Sequence, residues 1–184
     1  MQNVLAIGNF DGVHLGHRAL FEAARGMARS LGAGTLAVTF TPHPLELMGR
    51  EVSLLSPDRE KEELILGTGL IDRVCFLPFT EELRELRPEE FFRDVLVGRL
   101  GACGIAVGEN FRFGVRGSGT PADMARFCAE AGIAFRAVPL LLDGGEPVSS
   151  SRIRALLQAG LRGEAERLAG HPLPDPGQEA PETI

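Results

Sequence analysis

Tryptophan and tyrosine are absent from this 184-residue chain, and Lys61 is its only lysine. Aromatic packing and stacking therefore fall to 11 phenylalanines, and FRF at 111–113 is a local cluster of them. No run of 18 or more apolar residues occurs, which excludes a hydrophobic membrane-spanning helix. The start, from Met1 into VLAIG, shows neither a basic leader nor a cleavage site, so the expectation is a soluble, cytoplasmic protein. Net positive charge is also missing. At a formal net charge of -6, a broad nucleic-acid or anionic-membrane surface is not expected, although a local anion site stays open. The three cysteines, Cys75, Cys103 and Cys128, form no CxxC pair and are expected as buried free thiols.

What is present is alternation. VLAIG (4–8) reads as a buried strand, and Leu20, Ala24, Met27, Ala28 and Leu31 recur at helical spacing, predicting a helix over about 16–31. TLAVTF (35–40) reads as a second strand, ended by TPHP. A helix around 58–67, a strand DRVCFLPF, a helix opened by Pro88 and a strand GIAVG follow. After the glycine-rich loop GENFRFGVRGSGT come a helix from Pro121 to about 131, a strand IAFRAVPLLL, and short helices in SSSRIRALLQAG and GEAERLAG. Strands alternating with helices predict an α/β fold, a doubly wound, Rossmann-like parallel sheet with helices on both faces. Residues 1–170 are expected to be one domain, and 171–184, rich in proline, an extended disordered tail.

In such a sheet the ligand sits beyond the C-terminal ends of the strands. GNFDGVHLGH falls there, where unsatisfied N–H groups at a helix start favour anions. Gly8, Gly12 and Gly16 permit close backbone approach. His14 and His17, three apart, can face one side and donate to phosphate oxygens. A capping or core role is the competing account of each. Zinc is disfavoured, because no third His or Cys clusters nearby. PVSSSRIRALL is the second candidate: Ser149 or Ser150 can cap a helix, with Arg152 and Arg154 close by.

These segments carry a resemblance. GNFDGVHLGH resembles the HxGH signature of the nucleotidyltransferase superfamily, and VSSSRIR resembles its second signature, ISSTxIR. NFDGVHLGH, TFTPHP, GENFRFG and SSSRIR, in that order over about residues 4–170, are similar to the FMN adenylyltransferase module of bacterial FAD synthetases. Ser151 stands where that family usually has Thr, and Asn110 where many relatives have an acid. No Pro-Thr-Ala-Asn riboflavin kinase element is present, so the expectation is an adenylyltransferase without kinase activity, with a separate riboflavin kinase as a possible supplier of FMN.

The resemblance implies conversion of FMN and ATP to FAD and pyrophosphate, with Mg2+ accompanying ATP and metal ligands unassigned. It implies a catalytic set of His14, His17, Asn110 and Arg154. Gly8, Asn9, Phe10 and Gly16 are placed by it beside ATP, with Ser150, Ser151 and Arg152 on the phosphates. Asp11 either approaches the metal or holds the loop. Phe40, Pro42, Phe111 and Phe113 are assigned to the flavin side, Arg112 to the FMN phosphate or to solvent, and His43 to orienting its loop. The rival readings are a nucleotidyltransferase for another phosphate-bearing acceptor and an inactive nucleotide- or flavin-binding module.

Overall fold

Every residue of the first strand, β1 (Asn3–Ile7), is buried, which is the mark of a strand covered on both faces. The computed structural model describes residues 2–44, 49 and 53–174. β1 lies at the centre of a five-stranded sheet with β2 (Gly34–Thr41), β3 (Arg73–Pro78), β4 (Ala102–Gly108) and β5 (Ala134–Val138), in the order β3-β2-β1-β4-β5. All four pairings are parallel. The strand order reverses between β1 and β4, and that switch point opens a crevice above their C-terminal ends.

Alternation along β1 divides the core. Val4 and Ala6 join the cluster formed with α1 (Leu15–Leu31), through Phe21, Ala24 and Ala28. Leu5 and Ile7 face the opposite cluster, with Phe91, Phe92, Leu96 and Met124. α2 (Asp58–Gly67) adds Ile65 to the first face. α3 (Glu81–Glu85) and α4, which starts at Pro88–Glu90 and continues as a π-helical segment Phe91–Arg99, lie toward the second face with α5 (Pro121–Ala131). The doubly wound reading of the sequence is therefore the architecture observed.

Differences from expectation have local causes. α1 starts at Leu15 with His14 as its N-cap, and Leu31 is 43% exposed rather than facing the core. The strand expected to run to 142 stops at Val138, before Pro139, which has no N–H for the ladder. The chain then makes a hairpin of β6 (Leu142–Asp143) and β7 (Glu146–Pro147). The Pro88 helix winds with a wider N–H bond, Leu100 N to Val95 O at 3.0 Å, which no periodicity argument foresaw. All three cysteines are free, but only Cys128 is buried, with its thiol pushed up to about 11 by desolvation.

α6 (Ser150–Gln158) and α7 (Arg162–Ala169) form a third cluster around Ile153, Leu168 and Leu173. Leu173 is 5% exposed, so the packed structure runs past the expected boundary at 170. Residues 175–184 of the expected tail lie outside the described residues.

Candidate active site

The crevice at the switch point is a cavity of about 810 Å³, within the ~300–1,000 Å³ typical of ligand sites. Two sequence-distant segments meet in its wall: the loop Gly8–His14 after β1, and the start of α6. The loop turns sharply, with Phe10 (φ 49), Gly12 (φ 71) and Val13 (φ 37) all in the left-handed region. Glycine tolerates that conformation, whereas Phe and Val persist in it only because their side chains are locked in the core, at 0% and 5% exposure. Two glycines are needed for closeness. A Cβ at Gly8 would stand 2.8 Å from the Phe10 ring, and one at Gly16 would stand 3.1 Å from the His14 ring and 3.3 Å from the Val148 carbonyl.

His14 and His17 are stacked, with ring centroids 3.6 Å apart and planes at 19°. The Nδ1 of His14 accepts the backbone N–H of His17 at 3.3 Å. That bond fixes the His14 tautomer with its proton on Nε2. The Nδ1 of His17 is buried without a partner. A buried lone pair is tolerated better than a buried unpaired N–H, so the proton of His17 also belongs on Nε2. Desolvation pulls His14 down to about 4. His17 is held well below its ordinary value by desolvation, by His14 and by the buried Lys61. At neutral pH the pair is two neutral N–H donors side by side.

Asp11 has partners on both carboxylate oxygens. Oδ1 accepts the N–H groups of Leu55 (2.8 Å) and Ser56 (3.2 Å), and Oδ2 accepts Nη1 of Arg154 at 2.6 Å. The carboxylate, 2% exposed, aims the arginine at the cavity and knits the loop to the chain before α2. Ser150 donates its Oγ–H to the Asp11 carbonyl at 2.8 Å, while Ser149 is the cap of α6, accepting from Arg152 N at 3.2 Å. Ser151 lies beside Arg154 and also lines the cavity.

Gly8, Asn9, Phe10, Asp11, Gly16 and both histidines all border the cavity, as do Ser150, Ser151 and Arg154. So do Phe40, Asn110, Phe111, Arg112 and Phe113. Phe111 and Phe113 stack with centroids 5.7 Å apart, and Phe40 meets Phe79 edge-on. Two expected residues are not brought there. Arg152 is spent on the β6–β7 hairpin: it donates to the Asp143 carbonyl at 3.0 Å and to the Asp143 carboxylate at 2.9 Å. Pro42 is exposed outside the lining, although His43 and Pro44 belong to it. Sequence reasoning missed Arg84 and Arg116, which also line the cavity. Arg116 sits at φ 54 in a short turn, Val115–Gly117, and its glycine neighbours were the only hint of a bend there.

Among the described residues, no group of three or more His, Cys, Asp or Glu could hold a metal ion, and no helix is long and apolar enough to cross a membrane. A profile of the FAD synthetase family matches residues 1–152. The chain is 36% identical over 173 residues to the FAD synthetase of Listeria monocytogenes, covering 92% of this chain and 69% of that protein. It is 34% identical over 170 residues to the bifunctional riboflavin kinase/FMN adenylyltransferase of Escherichia coli, covering 92% of this chain and 54% of the relative. The chain thus spans about half the length of the bifunctional relatives it matches. A crystal structure from Streptococcus pneumoniae, described as a macrolide-efflux protein, superposes with a TM-score of 0.85 at 26% identity, over 94% of this chain and 58% of that one.

Proposed function

The chain belongs to the FAD synthetase family, and from that premise we propose that it converts FMN and ATP to FAD and pyrophosphate by direct in-line transfer. The observation that carries this reading is the meeting, in one cavity, of the stacked His14–His17 pair with an arginine aimed by a buried carboxylate. In this reading the Nε2–H groups of His14 and His17 donate to the phosphate oxygens of ATP, where charge grows as the α-phosphorus is attacked. Because both rings are neutral, they stabilise that charge without a proton having to move. Arg154, Ser150 and Ser151 hold the outer phosphates, and the helix start adds its own N–H groups. The phosphate of FMN is the nucleophile, so no residue of the chain is asked to form a covalent intermediate. Positioning and electrostatics then supply the rate.

Phe40, Phe111 and Phe113 give the isoalloxazine an apolar, aromatic surface, and Asn110, exposed at the cavity mouth, offers a polar edge. Arg112 and Arg116 add positive charge to the lining, while Arg84 is already paired with Glu81, and this suits a phosphate-bearing acceptor. Magnesium fits as a companion of ATP rather than as a protein-held ion. The one carboxylate of the lining, Asp11, has both oxygens engaged, and small octahedral ions keep much of their water. Bound there, magnesium supplies charge neutralisation on phosphate oxygens.

The test is incubation of the pure protein with ATP and, in parallel, FMN, nicotinamide mononucleotide and phosphopantetheine. FAD should form from FMN alone, and its absence overturns the reading. We further propose that this chain does not phosphorylate riboflavin, since the kinase element is absent from its sequence. Riboflavin with ATP should give no FMN, and FMN formation would overturn that part.

A further inference from the structure

We infer that His171 is a positioning residue for the phosphate-binding loop, donating a ring N–H to the Gly12 carbonyl. The inference rests on the reading of that loop as the ATP site. His171 lies 159 residues from Gly12 in the chain, yet its Nε2 is 2.9 Å from the Gly12 carbonyl oxygen. Its Nδ1 is 2.7 Å from the carbonyl oxygen of Pro172. A carbonyl oxygen only accepts. The contact to Gly12 is therefore a hydrogen bond donated by the ring, and it ties the loop to the segment after α7.

The segment is built to hold the ring in place. Before it, Gly170 caps α7 at φ 79 and packs so closely that a Cβ would come within 2.6 Å of Leu15, the first residue of α1. After it, Leu173 is buried in the third cluster, and its N–H donates to Glu166 Oε1 at 3.2 Å. On the other side, Gly12 is gripped through its N–H by Ser56 Oγ at 3.0 Å. His171 supplies the matching grip on the carbonyl. A residue held at both its N–H and its C=O cannot rotate its peptides, and His14 follows two residues later.

The charged neighbours are already committed. Asp11 in the loop is paired with Arg154, and Glu166 on α7 is paired with Arg162. His14, at the start of α1, is neutral near pH 7.

The test measures binding of a non-hydrolysable ATP analogue with magnesium to the full chain by calorimetry, which needs no acceptor. The proteins are wild type, His171→Ala and His171→Gln, the last keeping a side-chain N–H donor. The alanine variant should bind about threefold to tenfold more weakly than wild type, as loss of one hydrogen bond commonly does, and the glutamine variant should recover most of that loss. An alanine variant that binds like wild type, or a folded glutamine variant that binds as weakly as alanine, overturns the inference. Since the glutamine variant keeps a donor in place, it decides the matter even where alanine unfolds. Wild type failing to bind the analogue at all overturns the ATP-site reading, and this inference with it.

Discussion

His17 has one ring nitrogen sealed in the core and the other available to the cavity, so removing the ring deletes a donor without opening a polar network. His17→Ala is expected to lower adenylyl transfer by about tenfold to a thousandfold while the fold survives, as loss of one transition-state donor commonly does. A rate assay beside a circular dichroism spectrum checks both halves. His14 carries a different prediction. Its folded value of about 4 lies below the ordinary 6.5, so the unfolded chain binds the proton more readily. The stability this site contributes is whole above 6.5 and drains as pH falls toward 4, by about 3 kcal/mol. His14→Asn keeps an N-cap acceptor and removes the titration. Thermal midpoints measured from pH 7 to 4 should fall less steeply for that variant than for wild type.

At the level of elements, α6 presents two arginines one turn-fraction apart with opposite employment. Arg154 points to the loop through Asp11, and Arg152 points to the hairpin through Asp143, which Arg167 and Arg152 hold down at about 2. Arg154→Ala should raise KM for ATP by about tenfold or more, as loss of a charge-assisted phosphate contact does. Arg152→Ala should change KM for ATP less and show itself as increased hydrogen exchange at Leu142–Pro147. Steady-state kinetics with exchange measurements would separate the two, and equal KM effects would return Arg152 to the site. This contrast also marks how far the sequence could be read. SSSRIR was legible as a capped helix start, with Ser149 or Ser150 ahead of two arginines, and Ser149 is the cap observed. Which arginine faces the cavity was illegible, because it depends on Asp143 and Asp11, partners 9 and 143 residues away. The central strands were legible because burial on both faces leaves uninterrupted apolar runs, whereas the β6–β7 hairpin, two residues a side, leaves no pattern to detect. The π-helical winding after Pro88 likewise alters which carbonyl is bonded, not which residues are apolar.

For the molecule as a whole, an acidic chain of net charge -6 surrounds a cavity whose one carboxylate is neutralised and whose lining carries four arginines: Arg84, Arg112, Arg116 and Arg154. Ligands that bind only the folded form stabilise it by mass action. At a hundredfold excess over Kd, the ATP analogue should add about 2.7 kcal/mol, a rise in melting temperature of about 5–10 °C for a chain of this size. Adenosine at the same concentration should add less, because it brings nothing to His14, His17 or Arg154 and so binds more weakly. Differential scanning fluorimetry provides the comparison, and equal shifts would place recognition in the base rather than the phosphates.

The grip on the Gly8–His14 loop has a consequence in time. Asp11 and Gly12 leave the ribosome between 139 and 159 residues ahead of the partners that hold them, Ser150, Arg154 and His171. At about 5–20 residues per second, the loop waits several seconds for the helix that completes it. A growing chain can therefore pair its central strands long before it can hold a triphosphate. Nucleotide capture therefore waits on residues made far downstream of the loop that does the holding.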